Sequence, residues 1–340
     1  MAKVSFKVFR KKPKNLIAVT GTNGKSSIAD FYYQILRLNN KKVASIGTLG
    51  VKSNFINLNL SNTTTDPIKL GQILEQLYAK KINNVIMEAS SHGLKQNRLD
   101  GLKFDTGIFT NLSQDHLDYH KNLKSYLKAK LYLFENLIKK GGNVITDSNI
   151  PQFKKIQKIS KIKKLKLFSI NDKKDNFQIL SHFFKGESQI LKIKHNNLIK
   201  NININLIGKI QLKNILMAII AAKKSNIDLN KILLTIPKLK SVEGRFEKIG
   251  KIKNKSKVIL DYAHTPEALK TCLLNLKEQF PGKKISLLFG CGGNRDQNKR
   301  SKMGKIADNY SDKIYLTDDN PRLENPNIIR RNIKKGIKAK

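Results

Sequence analysis

A glycine-containing loop near the start of the chain has residue types and spacing suited to phosphate. In VTGTNGKSS, Gly21 and Gly24 can adopt positive φ and let backbone N–H groups approach an anion. Lys25 can place its ammonium on terminal phosphates, and the Ser26 hydroxyl can ligate a bridging magnesium ion. The loop departs from the usual spacing, because Val19 stands five residues before Gly24 where a glycine is common. The alternative is a serine-capped glycine turn that binds nothing.

Two polar segments, MEASSHGLKQNR and FTNLSQDHLDYH, follow later strand-like runs and offer metal ligands. The first contains Glu88, and the second contains Asp115, His116 and His120. Strands of a parallel sheet end at one edge, so a carboxylate and an imidazole there could hold magnesium against a nucleotide. A zinc site of His116 and His120 is the alternative, but that spacing needs a helix, and the segment is predicted to be a loop. Each histidine alone is more typical of a hydrogen-bonded loop or cap residue than of a metal ligand.

The elements that must position these residues follow from the apolar pattern. Residues 16–150 alternate strand-like runs with helical patterns, which predicts an α/β domain with a mostly parallel sheet. Residues 151–207 are lysine-rich with irregular β-like pieces, and a helix is predicted at 211–224. Near TIPKLKSVEGRFE the pattern restarts as strand, turn, helix, strand and strand. We therefore predict a domain boundary between Pro237 and Glu243.

Composition excludes several classes of protein. The 340 residues suffice for two domains, and the net charge of +41 comes from lysines scattered among Asn and Ile. No nucleic-acid-binding motif or aromatic platform accompanies them, so compositional bias is favoured over nucleic-acid binding. The longest apolar run, Ile215–Ala222, is far shorter than the roughly 20 residues of a membrane span. Cys272 and Cys291 lack metal-ligand spacing, and we expect a reducing, cytoplasmic setting with no membrane partner.

Seven motifs occur in the order and spacing of the Mur ligases and span nearly the whole chain. They are VTGTNGKSS, SNTTTDP, MEASSHGLKQNRLDGLKFDTGIFTNLSQDHLDYH, EGRFE, DYAHTPEAL, FGCGGNRDQNKRSKMG and TDDNPRLENP. The chain resembles this family, whose phosphate loop has the shorter spacing seen here. The motifs are most similar to the branch that adds meso-2,6-diaminopimelate to UDP-N-acetylmuramoyl-L-alanyl-D-glutamate. The resemblance implies an ATP- and magnesium-dependent amide ligase of peptidoglycan precursor synthesis.

The resemblance also implies a domain plan. Residues 14–240 would form a P-loop central ligase domain with a mostly parallel sheet, and residues 241–340 an incomplete Rossmann-like α/β C-terminal ligase domain. Residues 1–13 would be a remnant of an N-terminal uridine-binding domain. The rest of that domain, and the closing segment that grips the amino end of diaminopimelate, are not among the 340 residues. We therefore expect this chain alone to bind ATP and magnesium weakly through residues 14–240 and to form no amide bond.

Residue roles in the central domain are carried over from the family motifs. The residues matched to the ATP phosphates are Gly21, Thr22, Asn23, Gly24, Lys25, Ser26 and Ser27. The matched magnesium ligands are Ser26, Glu88, His116 and Lys130 as a carbamate. The last three are grouped with Lys25 as catalytic. The residues matched to the muramoyl-dipeptide are Asn62, Thr63, Thr64, Ser90, Gln96 and Arg98. Without the aligned spacing, Lys130 would be interpreted as one more solvated surface lysine.

Other matches concern the nucleoside and the added amino acid. Asp261 matches a ribose contact, Arg245 an arginine near the nucleotide and Asn214 an adenine-side asparagine, although Gln211 replaces the usual partner of Asn214. The residues matched to diaminopimelate selection are Arg295, Asp319, Asn320, Pro321 and Arg322. A guanidinium can grip the distal carboxylate of diaminopimelate bidentately, and lysine has no such group to offer.

Two alternatives of different classes stay open from the sequence. A folylpolyglutamate synthetase-like ligase shares the loop and the chemistry, although SSHGLKQNR and DNPR favour the Mur ligase interpretation. A basic P-loop protein that binds nucleic acid without ligase activity is the other alternative. We expect a monomer with no nucleic-acid partner.

Overall fold

The phosphate loop follows a central strand of an eight-stranded sheet. The structure is a computed structural model that describes residues 1–171, 177–195, 198–252 and 256–338. The strands of this sheet are β1 Asn15–Thr20, β2 Val43–Gly47, β3 Gly50–Lys52, β4 Asn57–Leu58, β5 Asn84–Glu88, β6 Phe104–Phe109, β7 Ile138–Asp147 and β8 Lys166–Ile170. Their order is β4-β3-β2-β5-β1-β6-β7-β8. All neighbouring pairs from β2 to β8 are parallel, whereas β3 and β4 pair antiparallel, so the predicted mostly parallel sheet is confirmed.

The chain divides into two units. The first consists of Met1–Leu112, Leu127–Leu206 and Ile210–Glu243, and the second of Ser113–Tyr126, Ile207–Lys209 and Gly244–Lys340. The helices up to residue 235 are α1 Ala2–Val8, α2 Lys25–Leu38, α3 Pro67–Ala79, α4 Ser91–Lys95, α5 Leu117–His120, α6 Leu123–Tyr132, α7 Phe153–Ile162, α8 Ile210–Lys224 and α9 Leu229–Thr235. Leu133–Leu137 forms a π-helical turn and Ile236–Lys238 a 3₁₀ turn.

Both faces of the large sheet are covered, which explains the apolar runs of its strands. Along β1, Ile17 and Val19 belong to a core with α2 and α8, while Leu16 and Ala18 belong to a core with α3. This alternation follows the two-residue period of a strand. Because both cores pack against β1, the loop that follows it is held on a rigid base.

The segment predicted to be irregular is ordered where the structure describes it. It contains α7, β8 and an antiparallel sheet of three strands, β9 Gln178–Lys185, β10 Ser188–His195 and β11 Leu198–Ile204. Leu191 and Ile193 of β10 and Ile202 and Ile204 of β11 are buried in the core that α2 and α8 share. Residues 172–176 and 196–197 of this segment lie outside the described residues.

The second unit is a smaller α/β arrangement. After residue 243 its elements are β12 Glu247–Lys251, β13 Lys257–Leu260, α10 Pro266–Gln279, β14 Ser286–Phe289, α11 Asn298–Tyr310, β15 Lys313–Leu316 and α12 Pro326–Lys334. β12 and β13 pair antiparallel, and β14 and β15 pair parallel. The predicted strand-to-strand succession after α10 is wrong, because α11 separates β14 from β15. Among the described helices of the whole chain, none is long and apolar enough to cross a membrane.

Candidate active site

The phosphate loop links the end of β1 to the start of α2 and depends on two glycines. Gly21 has φ of 146° and Gly24 has φ of 89°, values that other residues adopt only with strain. A Cβ atom on Gly21 would lie 1.8 Å from Thr110 Oγ1, and one on Gly24 would lie 2.7 Å from Asn214 Oδ1. Gly24 is the N-cap of α2, and no described side chain caps this helix. Neither Ser26 nor Ser27 therefore caps this helix, whose N-terminus presents N–H groups to which an anion can bind. Binding of phosphate by the loop stays a prediction.

Two lysines hold carbonyl oxygens of this loop. Lys25 Nζ donates to Gly21 O at 3.0 Å and to Thr22 O at 2.8 Å. Lys130 Nζ, on α6, donates to Gly21 O at 2.7 Å. Lys130 is only 1% exposed, so its interpretation as a solvated surface lysine is wrong. The Lys25 ammonium adds positive charge beside the loop, which favours binding of phosphate.

A buried carboxylate meets the hydroxyl at the start of α2. Ser26 Oγ donates to Glu88 Oε1 at 3.0 Å, and the backbone N–H of Thr48 donates to the same oxygen at 2.8 Å. Glu88 ends β5 and is 3% exposed. Gly47 provides the space, because a Cβ there would lie 2.3 Å from Glu88 Oε1. A hydroxyl and a carboxylate oxygen in contact are the hard ligands that magnesium prefers, so these residues fit that ion.

His116, also a predicted ligand, belongs to the second unit, together with Asp115 and His264. His116 Nε2 and His264 Nε2 lie 3.4 and 3.6 Å from Asp115 Oδ2. Burial alone would raise the pKa of Asp115, but the hydrogen bond from His264 and the charges of both histidines lower that pKa well below its usual range. His116 has φ of 53° and begins α5. The backbone and one carboxylate therefore fix its ring.

The zinc alternative is not supported. The predicted loop is wrong at residues 117–120, since α5 forms one helical turn there. The His120 ring nevertheless packs against Tyr126, with ring centroids 5.0 Å apart. Over the described ranges of the chain, no group of three or more His, Cys, Asp and Glu residues is arranged to hold a metal.

Several residues predicted to bind the muramoyl-dipeptide lie together beside Glu88. Thr64 Oγ1 donates to Glu88 O at 2.9 Å and accepts from the Ser90 N–H at 2.9 Å. Arg98 Nη1 donates to Thr64 O at 2.6 Å. Thr63 Oγ1 lies 3.0 Å from Thr48 Oγ1, which itself contacts Glu88.

The other two predicted dipeptide residues lie at the margin of this group. Gln96 is the C-cap of α4, and Asn62 is exposed with a hydrogen bond to its neighbour Ser61. The structure therefore brings together four of the six, and their roles toward a substrate stay predictions.

The predicted nucleoside residues are divided between the two units. In the first unit, Asn214 lies against Gly24 and donates to Gln211 Oε1 at 3.0 Å. In the second unit, Asp261 accepts from the backbone N–H groups of Phe246 and Ala263.

Burial raises the pKa of Asp261 although these hydrogen bonds oppose the shift. The Arg245 guanidinium lies 4.3 Å from the centre of the Tyr262 ring. In the first unit, Gln211 departs from the family pattern but still accepts the hydrogen bond that Asn214 donates.

The segment predicted to select diaminopimelate packs on the glycine-rich loop after β14. Arg322 Nη1 donates to Gly293 O at 2.8 Å, and the Gly293 N–H donates to Asn320 O at 3.0 Å. Asp319 Oδ1 accepts from the Asn320 N–H at 2.8 Å, and Pro321 links these residues to Arg322. Arg295 lies in the same glycine-rich loop region, before α11.

Sequence reasoning noted Asn111 among the polar residues after a strand but assigned no loop-holding role to Thr110, Asn111 or Arg300. Arg300, which is 0% exposed, donates to both Glu324 oxygens at 2.6 and 2.7 Å and lowers the pKa of Glu324 to about 2. Thr110 and Asn111 contact the phosphate loop from the end of β6. Thr110 and Asn111 directly follow a strand-like run, so the sequence pattern could have indicated that they lie near the phosphate loop. The Arg300 and Glu324 pairing joins residues 24 apart and had no such signal.

Family models and curated relatives match most of this chain. The family described as Mur ligase middle domain matches residues 19–222, and Mur ligase, glutamate ligase domain, matches residues 244–340. The UDP-N-acetylmuramoyl-L-alanyl-D-glutamate--2,6-diaminopimelate ligase of Rickettsia bellii (strain RML369-C) is 40% identical over 334 residues, covering 97% of this chain and 69% of the relative.

Solved structures are similar over almost the whole chain. A structure of UDP-N-acetylmuramoyl-L-alanyl-D-glutamate--2,6-diaminopimelate ligase has a TM-score of 0.73 at 30% identity and covers 98% of this chain and 68% of that one. Mycobacterium tuberculosis folylpolyglutamate synthase complexed with ADP has a TM-score of 0.80, covering 98% of this chain and 81% of that one. Its identity is only 13%, so that likeness concerns the fold alone.

Proposed function

The chain belongs to the Mur ligase family, and we propose that it adds meso-2,6-diaminopimelate to UDP-N-acetylmuramoyl-L-alanyl-D-glutamate at the expense of ATP. The observation that carries this proposal is the meeting of Ser26 and Glu88 beside a phosphate loop held by Lys25 and Lys130. We place the reaction in the cytoplasm, in peptidoglycan precursor synthesis. The proposal keeps residues 14–240 and 241–340 as the central and C-terminal ligase domains and assigns residues 1–13 to an N-terminal uridine-binding domain.

In this proposal the loop from Gly21 to Ser27 binds the ATP phosphates. The N-terminus of α2 supplies N–H groups and positive partial charge, and Lys25 supplies a full charge. Asn214, Arg245 and Asp261 are assigned to the nucleoside. The uncapped N-terminus of α2 and the glycine backbone around it support the assignment of the phosphates.

Ser26 and Glu88 are the residues that fit magnesium best, and His116 and Lys130 complete the proposed set. When bound, the ion neutralises negative charge on the phosphates. The chain itself contributes the buried Glu88 carboxylate, whose orientation the Thr48 N–H fixes. A carboxylate oxygen that is fixed by hydrogen bonds keeps its position as a metal ligand during the reaction.

The chemistry needs two displacement steps. An oxygen of the D-glutamyl carboxylate attacks the γ-phosphorus of ATP, ADP leaves, and an acyl phosphate forms. The amine of diaminopimelate then attacks the acyl carbon, loses a proton, and inorganic phosphate leaves as the amide forms. Lys25 neutralises charge that moves between the phosphates, while Thr64, Ser90 and Arg98 orient the dipeptide.

Arg295 and the run Asp319–Arg322 are proposed to choose the added amino acid. A guanidinium can bind the distal carboxylate of diaminopimelate through two parallel hydrogen bonds, whereas lysine has no carboxylate there. The 40% identity to a diaminopimelate ligase supports this choice over a folylpolyglutamate synthetase-like role, for which the likeness is one of fold.

A panel of amino acids tests this function. The chain is assayed as it stands and joined to the parts of the Rickettsia bellii relative outside the aligned region. With muramoyl-dipeptide and ATP, we expect the joined form to release phosphate with diaminopimelate and far less with lysine or glutamate. Phosphate release only with a folate substrate and glutamate would contradict the proposal. Salt-sensitive nucleic-acid binding without phosphate release would favour the P-loop binding protein instead.

A further inference from the structure

The end of β6 lies directly against the phosphate loop. The Thr110 N–H donates to Thr20 O at 3.0 Å, and the Thr22 N–H donates to Asn111 O at 3.0 Å. The approach is so close that a Cβ on Gly21 would lie 3.0 Å from Thr110 Cβ and 3.1 Å from the Asn111 nitrogen. The pairing of β1 with β6 thus continues past the last strand residue and into the loop.

Both polar backbone groups of Asn23, in the middle of the loop, are bonded to these two residues. The Asn23 N–H donates to Asn111 Oδ1 at 3.0 Å. Asn23 O accepts from Thr110 Oγ1 at 2.6 Å and from Asn111 Nδ2 at 3.1 Å. Thr110 is 5% exposed, so its hydroxyl is shielded from competing water.

Three successive loop carbonyls are therefore held by side chains. Gly21 O accepts hydrogen bonds from Lys25 and Lys130, and Thr22 O accepts one from Lys25. Asn23 O accepts hydrogen bonds from Thr110 and Asn111. A carbonyl oxygen that turned toward a phosphate would repel it. Fixing the carbonyls also fixes the peptide planes, so the next N–H groups, at the start of α2, keep one direction before any anion arrives.

We infer that Thr110 and Asn111 are positioning residues that hold the phosphate loop in its nucleotide-binding conformation. The inference rests on the proposed function, since it assumes that the loop binds ATP. Neither residue needs to touch the nucleotide. They affect nucleotide binding through their hydrogen bonds to Asn23. This effect can be measured separately from a general contribution to the stability of the chain.

The neighbouring strand supplies a matched control. Thr146 of β7 is 0% exposed, and its Oγ1 donates to Phe109 O at 3.0 Å. Thr146→Val and Thr110→Val each remove a buried hydrogen bond from a threonine hydroxyl to a backbone carbonyl. The carbonyl that Thr146 binds belongs to β6, whereas the one that Thr110 binds belongs to the phosphate loop. Thr110→Ser keeps the hydroxyl and serves as the conservative variant. Asn111→Asp, at a half-buried position, replaces the donor to Asn23 O by a carboxylate oxygen.

The test measures binding of AMPPCP with magnesium to the 340-residue chain, its melting temperature and amide exchange of the loop. Thr110→Val is expected to weaken AMPPCP binding about fivefold, the factor that one neutral hydrogen bond supplies, and Asn111→Asp at least as much. The amide of Asn23 should exchange faster in Thr110→Val, which releases Asn23 O from the Thr110 hydroxyl. Thr110→Ser and Thr146→Val should bind within about twofold of the unchanged chain, although Thr146→Val lowers the melting temperature.

The outcomes separate the inference from the proposed function. If the unchanged chain binds no AMPPCP, the proposal of ATP use fails. If it binds and both Thr110→Val and Asn111→Asp bind equally well, the inference is overturned. Equal weakening by Thr110→Val and Thr146→Val also overturns it, because the effect would then be general destabilisation. If Thr110→Val does not fold, AMPPCP binding by Asn111→Asp is compared with that by Thr146→Val, and the same two outcomes overturn the inference.

Discussion

Replacing Gly21 by alanine tests how closely the phosphate loop is fitted to β6. The new Cβ would lie 1.8 Å from Thr110 Oγ1, where real Cβ contacts are essentially never shorter than 3.0 Å. Relieving the overlap moves the loop or Thr110 by roughly 1.2 Å. The Thr110 hydroxyl cannot simply turn away, because it holds Asn23 O and its own Cβ would be 3.0 Å from the new atom. The φ of 146° adds strain of about 1–3 kcal/mol for a residue with a side chain.

The expected consequence is a loss of function larger than the loss of stability. A displacement of about 1 Å in a positioning element can lower a rate about 100-fold, which corresponds to roughly 2.7 kcal/mol of transition-state stabilisation. We expect Gly21→Ala to lower kcat/KM for ATP by about this factor in the joined ligase. AMPPCP binding to the chain, measured by calorimetry, should weaken in parallel.

Gly141→Ala is the control for backbone strain. Gly141 has φ of 73°, and a Cβ there would meet nothing within 4 Å. This variant carries the cost of positive φ without a clash and lies outside the loop. It should lower the melting temperature and leave AMPPCP affinity unchanged. If Gly21→Ala has the same AMPPCP affinity and kcat/KM as Gly141→Ala, the close fit of the loop against β6 does not matter for function, and the reasoning is refuted.

Three further predictions concern the other parts of the site. Lys130→Ala should lose most ligase activity and regain part of it with acetate or formate, which replace a carbamate anion, whereas Lys128→Ala, at an exposed position on the same helix, should keep full activity. Because the hydrogen bond from Arg300 lowers the pKa of Glu324 from 4.5 to about 2, its stabilising effect is complete above about pH 4.5. It is lost as the pH falls toward 2, so melting temperatures should drop over that range and drop less in Glu324→Gln. Arg322→Lys keeps the charge but loses the planar fork, so the KM for diaminopimelate should rise about tenfold while the KM for ATP stays constant.

Local patterns were sufficient to predict the parts of the site that follow from sequence order. A short apolar strand, two glycines and a helical repeat predict β1, the loop and α2, since each depends on nearby residues. The placement of Glu88 beside Ser26 also followed, because both stand at the carboxyl ends of parallel strands or just beyond them.

Features that depend on distant residues were not predictable in this way. The antiparallel sheet β9–β11 lies in a lysine-rich segment with few local signals, and the order of its strands depends on burial against α2 and α8. Helix α11 was missed because NKRSKMGKIADNY is polar and contains Gly304, a poor helix former. Lys130 is buried and donates to a residue 109 positions away, a long-range contact that composition cannot reveal.

The most direct measurement of the central claim follows one oxygen atom. UDP-N-acetylmuramoyl-L-alanyl-D-glutamate labelled with ¹⁸O in the reacting glutamyl carboxylate is incubated with ATP, magnesium, diaminopimelate and the joined ligase. Transfer of one ¹⁸O to inorganic phosphate for each amide formed is the predicted result, because the acyl phosphate carries that oxygen away. Recovery of ¹⁸O in AMP, or amide formation with unlabelled phosphate, would contradict the proposed function.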